Sequence, residues 1–318
     1  MTVVEALRDA DFDVFHGVYT AAYSRDFDCP WLAIEKRVNM TDDAYGNKVV
    51  LAARDETGEI VGGGTAILPL RDNLTFAFLD VFVHPDSRRR GHGTAVLDAL
   101  LEHAVAAGRS TGFVQPYWAV EEKTSAAREF AEARGFTLDM LDAVRELRLP
   151  AELAPVDVAD GYRLQTWRGA CPDDLLDEYA ELRRILTAEA PSGAAGLENE
   201  HWDAARVRKD EADLERVGRV MVVTVARAGD GSLAGHTQLA FPRGREVYQW
   251  DTLVRPAHRG HGLGLALKIR TMHESADLLA GRRRIVTENA ASNTHMIAVN
   301  EALGFRQVAW VGEHVRSL

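Results

Sequence analysis

The sequence predicts an α/β protein made of two tandem units, each a mixed, mostly antiparallel sheet flanked by helices. Three observations predict it. A glycine-rich loop occurs twice, as HPDSRRRGHGTAVL (84–97) and RPAHRGHGLGLALK (255–268). Pro85 and Pro256, Arg88 and Arg259, Gly91 and Gly262, Gly93 and Gly264, and Asp80 and Asp251 are each 171 residues apart. Each loop lies between a strand-like apolar run and a segment of helical spacing. Upstream, GEIVGGGTAI (58–67) echoes GSLAGHTQLA (231–240), and downstream FAEARGF (130–136) echoes NEALGF (300–305). A unit of about 150 residues occurring twice is a duplicated domain rather than a solenoid. The length of 318 residues agrees, at roughly 100 to 200 residues per domain.

The elements of the second copy follow in order. PAELAPVDVADGY (150–162) has prolines and no apolar period and reads as a linker. The expected domains are therefore 1–149, a linker at 150–161, and 162–318. YRLQTW opens the second copy as a strand. Leu175, Tyr179, Leu182 and Leu186 lie at helical spacing, APSGAAG (190–196) breaks that helix, and AARVRKDEADLERV (204–217) reads as another. RVMVVTVAR and LAGHTQLAF are strands joined by an AGDGS turn. EVYQWDTLVR is a strand running into the glycine loop. Leu265, Ile269, Met272, Ala276 and Leu279 then mark one helical face. RRIVTE is a strand, ASNTHMIAVNEALG a helix closed by Gly304, and FRQVAWVG a last strand. The first copy runs parallel, with FAFLDVFV before its loop and Val96, Leu100, Leu101 and Ala104 behind it.

The formal net charge is −11, which argues against nucleic acid or an anionic membrane as a partner, since both need a basic face. Cys29 and Cys171 have no CxxC spacing, so a disulfide framework is not expected and a reducing cytoplasm is. The start MTVVEALRDADFDVF lacks a basic stretch followed by an apolar one, and no run of 18 apolar residues occurs, so neither a signal peptide nor a span is expected. There is no HExxH, and HESAD (273–277) lacks the second histidine, so no metal is expected.

A strand that ends in a glycine-rich turn and opens a helix is suited to an anion. The first turn of the helix leaves backbone N–H groups unpaired, and glycine lets the backbone approach a phosphate. Neither mononucleotide motif fits. There is no GK[ST], and Gly262-Leu263-Gly264 is followed by Leu265, Ala266 and Leu267, late in its unit.

The pattern V-x-P-x-x-R-x-x-G-x-G, complete at Val83–Gly93 and at Val254–Gly264, resembles motif A of the GCN5-related N-acetyltransferases. N-x-x-M-x-x-x-N-x-x-x-G-F (293–305) resembles the motif that follows it there. The resemblance covers essentially the whole chain as a tandem GNAT-like pair and is similar to a group of tandem acetyltransferases common in actinobacteria. It implies acetyl-CoA as acyl donor, its pyrophosphate on the loop amides and its thioester beside the preceding strand, which splays from its neighbour. The residues so implied to bind CoA are Leu253, Val254, Arg259, Gly260, His261, Gly262, Leu263, Gly264 and Asn293.

Acyl transfer to an amine needs a proton acceptor, a stabilised oxyanion and a thiolate able to leave. Family members with a strand-borne base often carry Glu five residues before the motif Asn, which here is Glu288. Asp251, three residues before Val254, is the rival carboxylate, although Asp80 repeats it in the first copy. His236 on the preceding strand is a further candidate. The family's general acid, usually Tyr four residues before the final Gly, is replaced by Asn300, which can hydrogen-bond the sulfur without protonating it. The first copy aligns Ala119 with Glu288, Thr124 with Asn293 and Ala131 with Asn300, so the C-terminal domain is expected to be the catalytic one.

The acceptor is then a primary amine of a small molecule. The stretch 187–207 is expected to select it, with Glu189, Glu198 and Glu200 able to receive a cation. Two alternatives stay open: a non-catalytic CoA-binding or ligand-binding tandem protein, and a mycothiol-synthase-like acetyltransferase, whose usual Tyr Asn300 replaces. Two domains in one chain suit a monomer or a homodimer.

Overall fold

The structure is a computed structural model and describes residues 2–318. Along the chain come β1 (Val3–Ala6), α1 (Phe12–Ala22), α2 (Ala33–Asn39), β2 (Gly46–Arg54), β3 (Ile60–Pro69), β4 (Phe76–Val83), α3 (His92–Ala106), β5 (Thr111–Val114), β6 (Tyr117–Ala119), α4 (Ala126–Ala133) and β7 (Thr137–Arg148). There follow β8 (Tyr162–Arg168), α5 (Leu176–Glu189), α6 (Ala204–Arg216), β9 (Val220–Ala228), β10 (Leu233–Phe241) and β11 (Glu246–Val254). The chain ends with α7 (Leu263–Glu274), α8 (Ala276–Leu279), β12 (Arg284–Ala290), α9 (Thr294–Ala302) and β13 (Arg306–Ser317).

Two compact units emerge, but each borrows its closing strand from the other copy's sequence. The first unit runs to Leu141 and adds Gly193–Glu198 and Ala309–Leu318; the second is Asp142–Ser192 with Asn199–Val308. In the first, β1, β2, β3 and β4 are antiparallel neighbours, β5 joins β4 in parallel, and β13 pairs with β5 and β6. In the second, β8, β9, β10 and β11 are antiparallel neighbours, β12 joins β11 in parallel, and β7 pairs antiparallel with β12 from Arg148–Arg284 to Asp142–Ala290. The units therefore depart from a single cut at 150–161: Asp142–Leu149 lies in the second unit, and FRQVAWVG lies in the first from Ala309 on. Both strands have a continuous buried middle and exposed ends, so either can fill a covered place in a sheet, and nothing local states which one it will take.

In each unit the sheet lies between two helical layers. In the second, α5 and α6 cover one face through Tyr179, Leu182, Val207 and Leu214 over Met221, Val223 and Val225. On the other face, Ile269 and Met272 of α7 and Leu303 and Phe305 beside α9 pack over Val222, Leu239, Val247, Ile285 and Leu147. The first unit repeats this, with Phe15 and Tyr19 of α1 on one face and Val96, Leu97 and Leu100 of α3 with Ala131 of α4 on the other. The single helix expected over 263–279 is two: Ser275 leaves helical geometry at φ −107°, ψ 13° and separates α7 from α8. Among the described residues, no helix is long and apolar enough to cross a membrane.

Candidate active site

The loop after β11 shows why its glycines are there. Pro256–His258 makes one 3-10 turn, and Gly260 (φ +86°) and Gly262 (φ +68°) then enter the left-handed region that glycine tolerates. Gly262 caps α7, and its carbonyl accepts the Ala266 N–H at 3.1 Å, so the amides before Ala266 form the unpaired first turn. A Cβ built on Gly260, Gly262 or Gly264 meets nothing within 4 Å, so the loop's outer side is open. In the first unit, Arg89 holds the strained φ of +62° where the second unit has Gly260, and Gly93 is backed by Val83 and Phe130.

Arg259 donates to the Val254 carbonyl at 3.2 Å and to the Glu189 carboxylate at 2.8 Å, which fixes it across the loop's base. Tyr162 braces the same loop, bonding His258 at 3.0 Å and lying 5.4 Å from the His261 ring. The side chains of Leu253 and Leu263 are buried in the core, so only their backbone can face a ligand. Val254 ends β11, and Asn293 caps α9 by accepting the Met296 N–H at 3.1 Å.

The two parallel strands beside the loop open. Only Glu246, Val247 and Tyr248 of β11 pair with Arg284, Ile285 and Val286 of β12. Beyond them the ladder with β10 also slips, with Leu239 opposite Gln249 but Thr237 opposite Thr252. This bulge around Trp250 and Asp251 bends β11 away and leaves backbone groups on the opening. The first unit opens the same way after Phe78 and Phe113.

Alternation assigns the walls. Glu288 shares the face of Val286 and Tyr248, the α5–α6 side, and is exposed. Asp251 points to that side too but is engaged: Arg183 bonds it at 2.9 Å, bonds Asp210 at 3.2 Å, and stacks 3.7 Å over the Trp202 ring. Asp80 repeats the arrangement, taking hydrogen bonds from Tyr23 at 2.5 Å and Lys36 at 3.1 Å. A strand aspartate tied to the helical layer is thus common to both units, which gives Asp251 a structural task. His236 is fully buried against Tyr179, and burial holds its imidazole neutral, down to about 3. The acids of 187–207 are engaged as well. Glu189 pairs with Arg259, Glu200 pairs with Arg206 at 3.1 Å, and Glu198 exchanges two 2.7 Å hydrogen bonds with Asn73 in the first unit.

Asn300 does not reach into the opening. It is fully buried, accepts from Lys268 Nζ at 2.8 Å and donates to Asn289 Oδ1 at 2.6 Å. The strand register also corrects the comparison of the two copies. Thr111 of β5 stands where Arg284 of β12 does, so the counterpart of Glu288 is Gln115, not Ala119, and β6 takes up the difference. Ala131 remains opposite Asn300, and Leu97 stands at the place of Lys268.

One carboxylate was missed. Asp142 lies opposite Ala290, two residues along β7 from the partner of Glu288, on the same face. It is buried at 8% exposure, its Oδ1 has no hydrogen-bond partner, and burial pushes it up to about 6. The signal was an acid in the strand segment LDAVRELRL, but that segment reads as part of the other copy. Its counterpart by register is Val311, opposite Tyr117. Asp142→Val is expected to raise the midpoint of thermal unfolding at pH 7 to 8. The sign follows from linkage: a carboxyl whose folded value lies above its ordinary one, about 3.9, favours folding below that value and loses the advantage as pH rises through about 6. Melting curves of both proteins at pH 5 and pH 8 check it, and a variant that melts lower at pH 8 would contradict it.

Comparison with known proteins bears on this geometry. The Acetyltransferase (GNAT) family profile matches residues 6–136 and 179–305. A mycothiol acetyltransferase of Mycobacterium sp. (strain MCS) is 31% identical over 80% of this chain and 79% of its own. Another, from Thermomonospora curvata, is 30% identical over 72% of this chain and 70% of its own. Among solved structures, a tandem GNAT protein from the clavulanic acid biosynthesis pathway superposes with a TM-score of 0.83 at 24% identity, over 100% of this chain and 98% of its own. A GCN5-related N-acetyltransferase from Sphaerobacter thermophilus superposes at 0.71 and 18% identity, over 99% and 95%.

Proposed function

The chain belongs to the GNAT acetyltransferase family and is an acyltransferase, and from that premise we propose that its C-terminal unit transfers an acetyl group from acetyl-CoA to a primary amine of a small molecule. The observation that carries the reading is the pairing of an open glycine loop with an opened strand pair in one unit. The amides of 259–264 receive the pyrophosphate, with Gly260, Gly262 and Gly264 allowing close approach. The pantetheine arm then follows β11 into the opening.

The amine attacks the thioester carbon, and Glu288, through water, takes its proton. Backbone N–H groups where β11 leaves its partner stabilise the oxyanion. The C–S bond breaks, and CoA leaves as a thiolate. Glu288 suits the base because it is exposed on the face of β12 toward α5 and α6, beyond the last rung with β11.

The N-terminal unit keeps the loop but replaces the chemistry, with Gln115, Val311, Leu97 and Ala131 at the positions of Glu288, Asp142, Lys268 and Asn300. The relatives' names favour a second reading of the acceptor alone, as a compound of the mycothiol series.

The test is release of free thiol from acetyl-CoA on addition of a panel of amines, mycothiol-series amines included. Amine-dependent release is expected with at least one class. CoA binding without release from any amine would favour a ligand-binding protein.

A further inference from the structure

Lys268 is the anomaly in the second unit's core. Its side chain is buried at 1% exposure on α7, directly behind the glycine loop. Its ammonium donates to Asn300 Oδ1 at 2.8 Å and lies 5.9 Å from the Phe305 ring centre, and among the described residues no carboxylate forms an ion pair with it. A buried cation without a counter-charge is costly, and an apolar residue of similar size would spare that cost. The duplicated chain supplies the comparison. At the same two places the first unit has Leu97 and Ala131, both in its apolar core. The fold is therefore built without Lys and Asn here, and their presence calls for another reason.

The hydrogen bonds suggest it, because all of them run one way. Lys268 donates to Asn300, and Asn300 donates through Nδ2 to Asn289 Oδ1 at 2.6 Å. The last donor is the Nδ2 group of Asn289, a half-buried residue on β12 three positions beyond Val286, where the ladder with β11 ends. Donors aligned head to tail polarise one another, and a charge at the buried end strengthens the donor at the open end.

We propose that Lys268, acting through Asn300, is a positioning residue that charges a donor relay ending at Asn289, and that the relay stabilises the thiolate of CoA as it leaves. This rests on the reading of the C-terminal unit as the acetyl-CoA site. In the transfer, the amine nitrogen bonds the thioester carbon, the C–S electron pair moves onto sulfur, and the amine proton passes to Glu288 through water. The relay faces the negative sulfur, which takes its proton from solvent afterwards. The relay thus does by polarisation what a tyrosine at position 300 would do by proton donation.

The surroundings of Lys268 leave its charge adjustable. On the same face of the sheet, β11 and β12 present Val247, Gln249, Ile285, Thr287 and Asn289, none of which titrates. The charged groups there are Arg145 of β7 and Glu301 of α9, bonded to each other at 3.1 Å. On α7 itself, Arg270 is paired with Glu274, and His273 is exposed and bonds the Leu153 carbonyl. Burial alone lowers the Lys268 ammonium to about 7, so a thiolate at the far end of the relay can draw it back to the charged form.

The test uses the full chain and CoA itself. The thiolate absorbance of bound CoA is followed as pH rises, in wild type, Lys268→Met and Lys268→Leu with Asn300→Ala. The double variant restores the first unit's pair and is expected to fold. In wild type the bound thiol should ionise at least tenfold more readily than free CoA, and both variants should lose most of that gain while still binding CoA. An unchanged thiol ionisation between wild type and Lys268→Met overturns the relay. Calorimetry separates this from the underlying reading: if wild type binds no CoA, the assignment of the C-terminal site fails, and the relay falls with it.

Discussion

Glu288→Gln is expected to lower kcat/KM at pH 7 by about 10² to 10⁴, the usual contribution of a positioned general base. The acceptor ammonium is expected to titrate near the lysine value, about 10, so at neutral pH almost none of it is ready to attack. The enzyme must therefore remove a proton, and Glu288 is an exposed carboxylate on the α5–α6 face of β12, beyond the last rung with β11. Gln keeps the size and loses the base. The defect should shrink as pH rises and free amine becomes abundant, which a misplaced side chain would not do. Asp251→Asn is the control, and its expected signature differs. Asp251 anchors Arg183, which also holds Asp210 and stacks on Trp202, so Asn should loosen the contact of α5 with β11 and lower the melting temperature. Measuring kcat/KM against pH for both variants decides the matter. A Glu288→Gln enzyme at wild-type rate, with Asp251→Asn inactive, would move the base to Asp251.

How much of this was legible depended on distance along the chain. The duplicated loops and the strand before each are local patterns, and they fold as read; the helix after the second loop also forms but breaks at Ser275. Gly260 and Gly262 announce their left-handed backbone in the sequence itself. The closing strands do not. Residues 142–148 and 309–317 are each the last strand of their copy, and their exchange between units is decided by which strand they meet. That exchange hid Asp142, since an acid in the first copy's last strand gave no reason to look for it beside Glu288. The first copy also has four more residues from Thr111 to Ala131, the stretch where β6 lies, than the second has from Arg284 to Asn300, and these shifted Ala119 into the place that Gln115 occupies. Asn300 was legible as a departure from the tyrosine pattern but not in its consequence. Lys268 lies 32 residues away and reads as one of several polar residues of α7, beside Arg270, Thr271, His273 and Glu274. Pairwise partnerships of this kind, such as Arg183 with Asp251, are properties of packing, and spacing alone does not encode them.

Gly262→Asp is expected to weaken CoA binding by about 10² to 10³, since bringing a like charge against a charged ligand costs several kcal/mol. The position makes the prediction specific. Gly262 caps α7, and a Cβ there meets no protein atom, so the carboxylate would project into the open space that the phosphates are proposed to fill. Its φ of +68° adds a backbone cost of order 1 kcal/mol for a residue with a side chain, which Asp tolerates better than most. Gly262→Ala separates the two effects, because it carries the strain without the charge. Ala should therefore lose little affinity, and Asp nearly all of it. Gly91→Asp makes the equivalent change in the first unit, at φ +88° and with the same open surroundings. If only the C-terminal unit transfers the acetyl group, turnover should survive Gly91→Asp and collapse in Gly262→Asp. Calorimetry with CoA and thiol release with an accepted amine, on all three variants, read the two properties independently. Undiminished CoA affinity in Gly262→Asp would remove the loop from the binding site. Loss of turnover in Gly91→Asp at an unchanged melting temperature would place catalysis in the N-terminal unit, where Gln115 cannot accept a proton and another group would have to serve as the base.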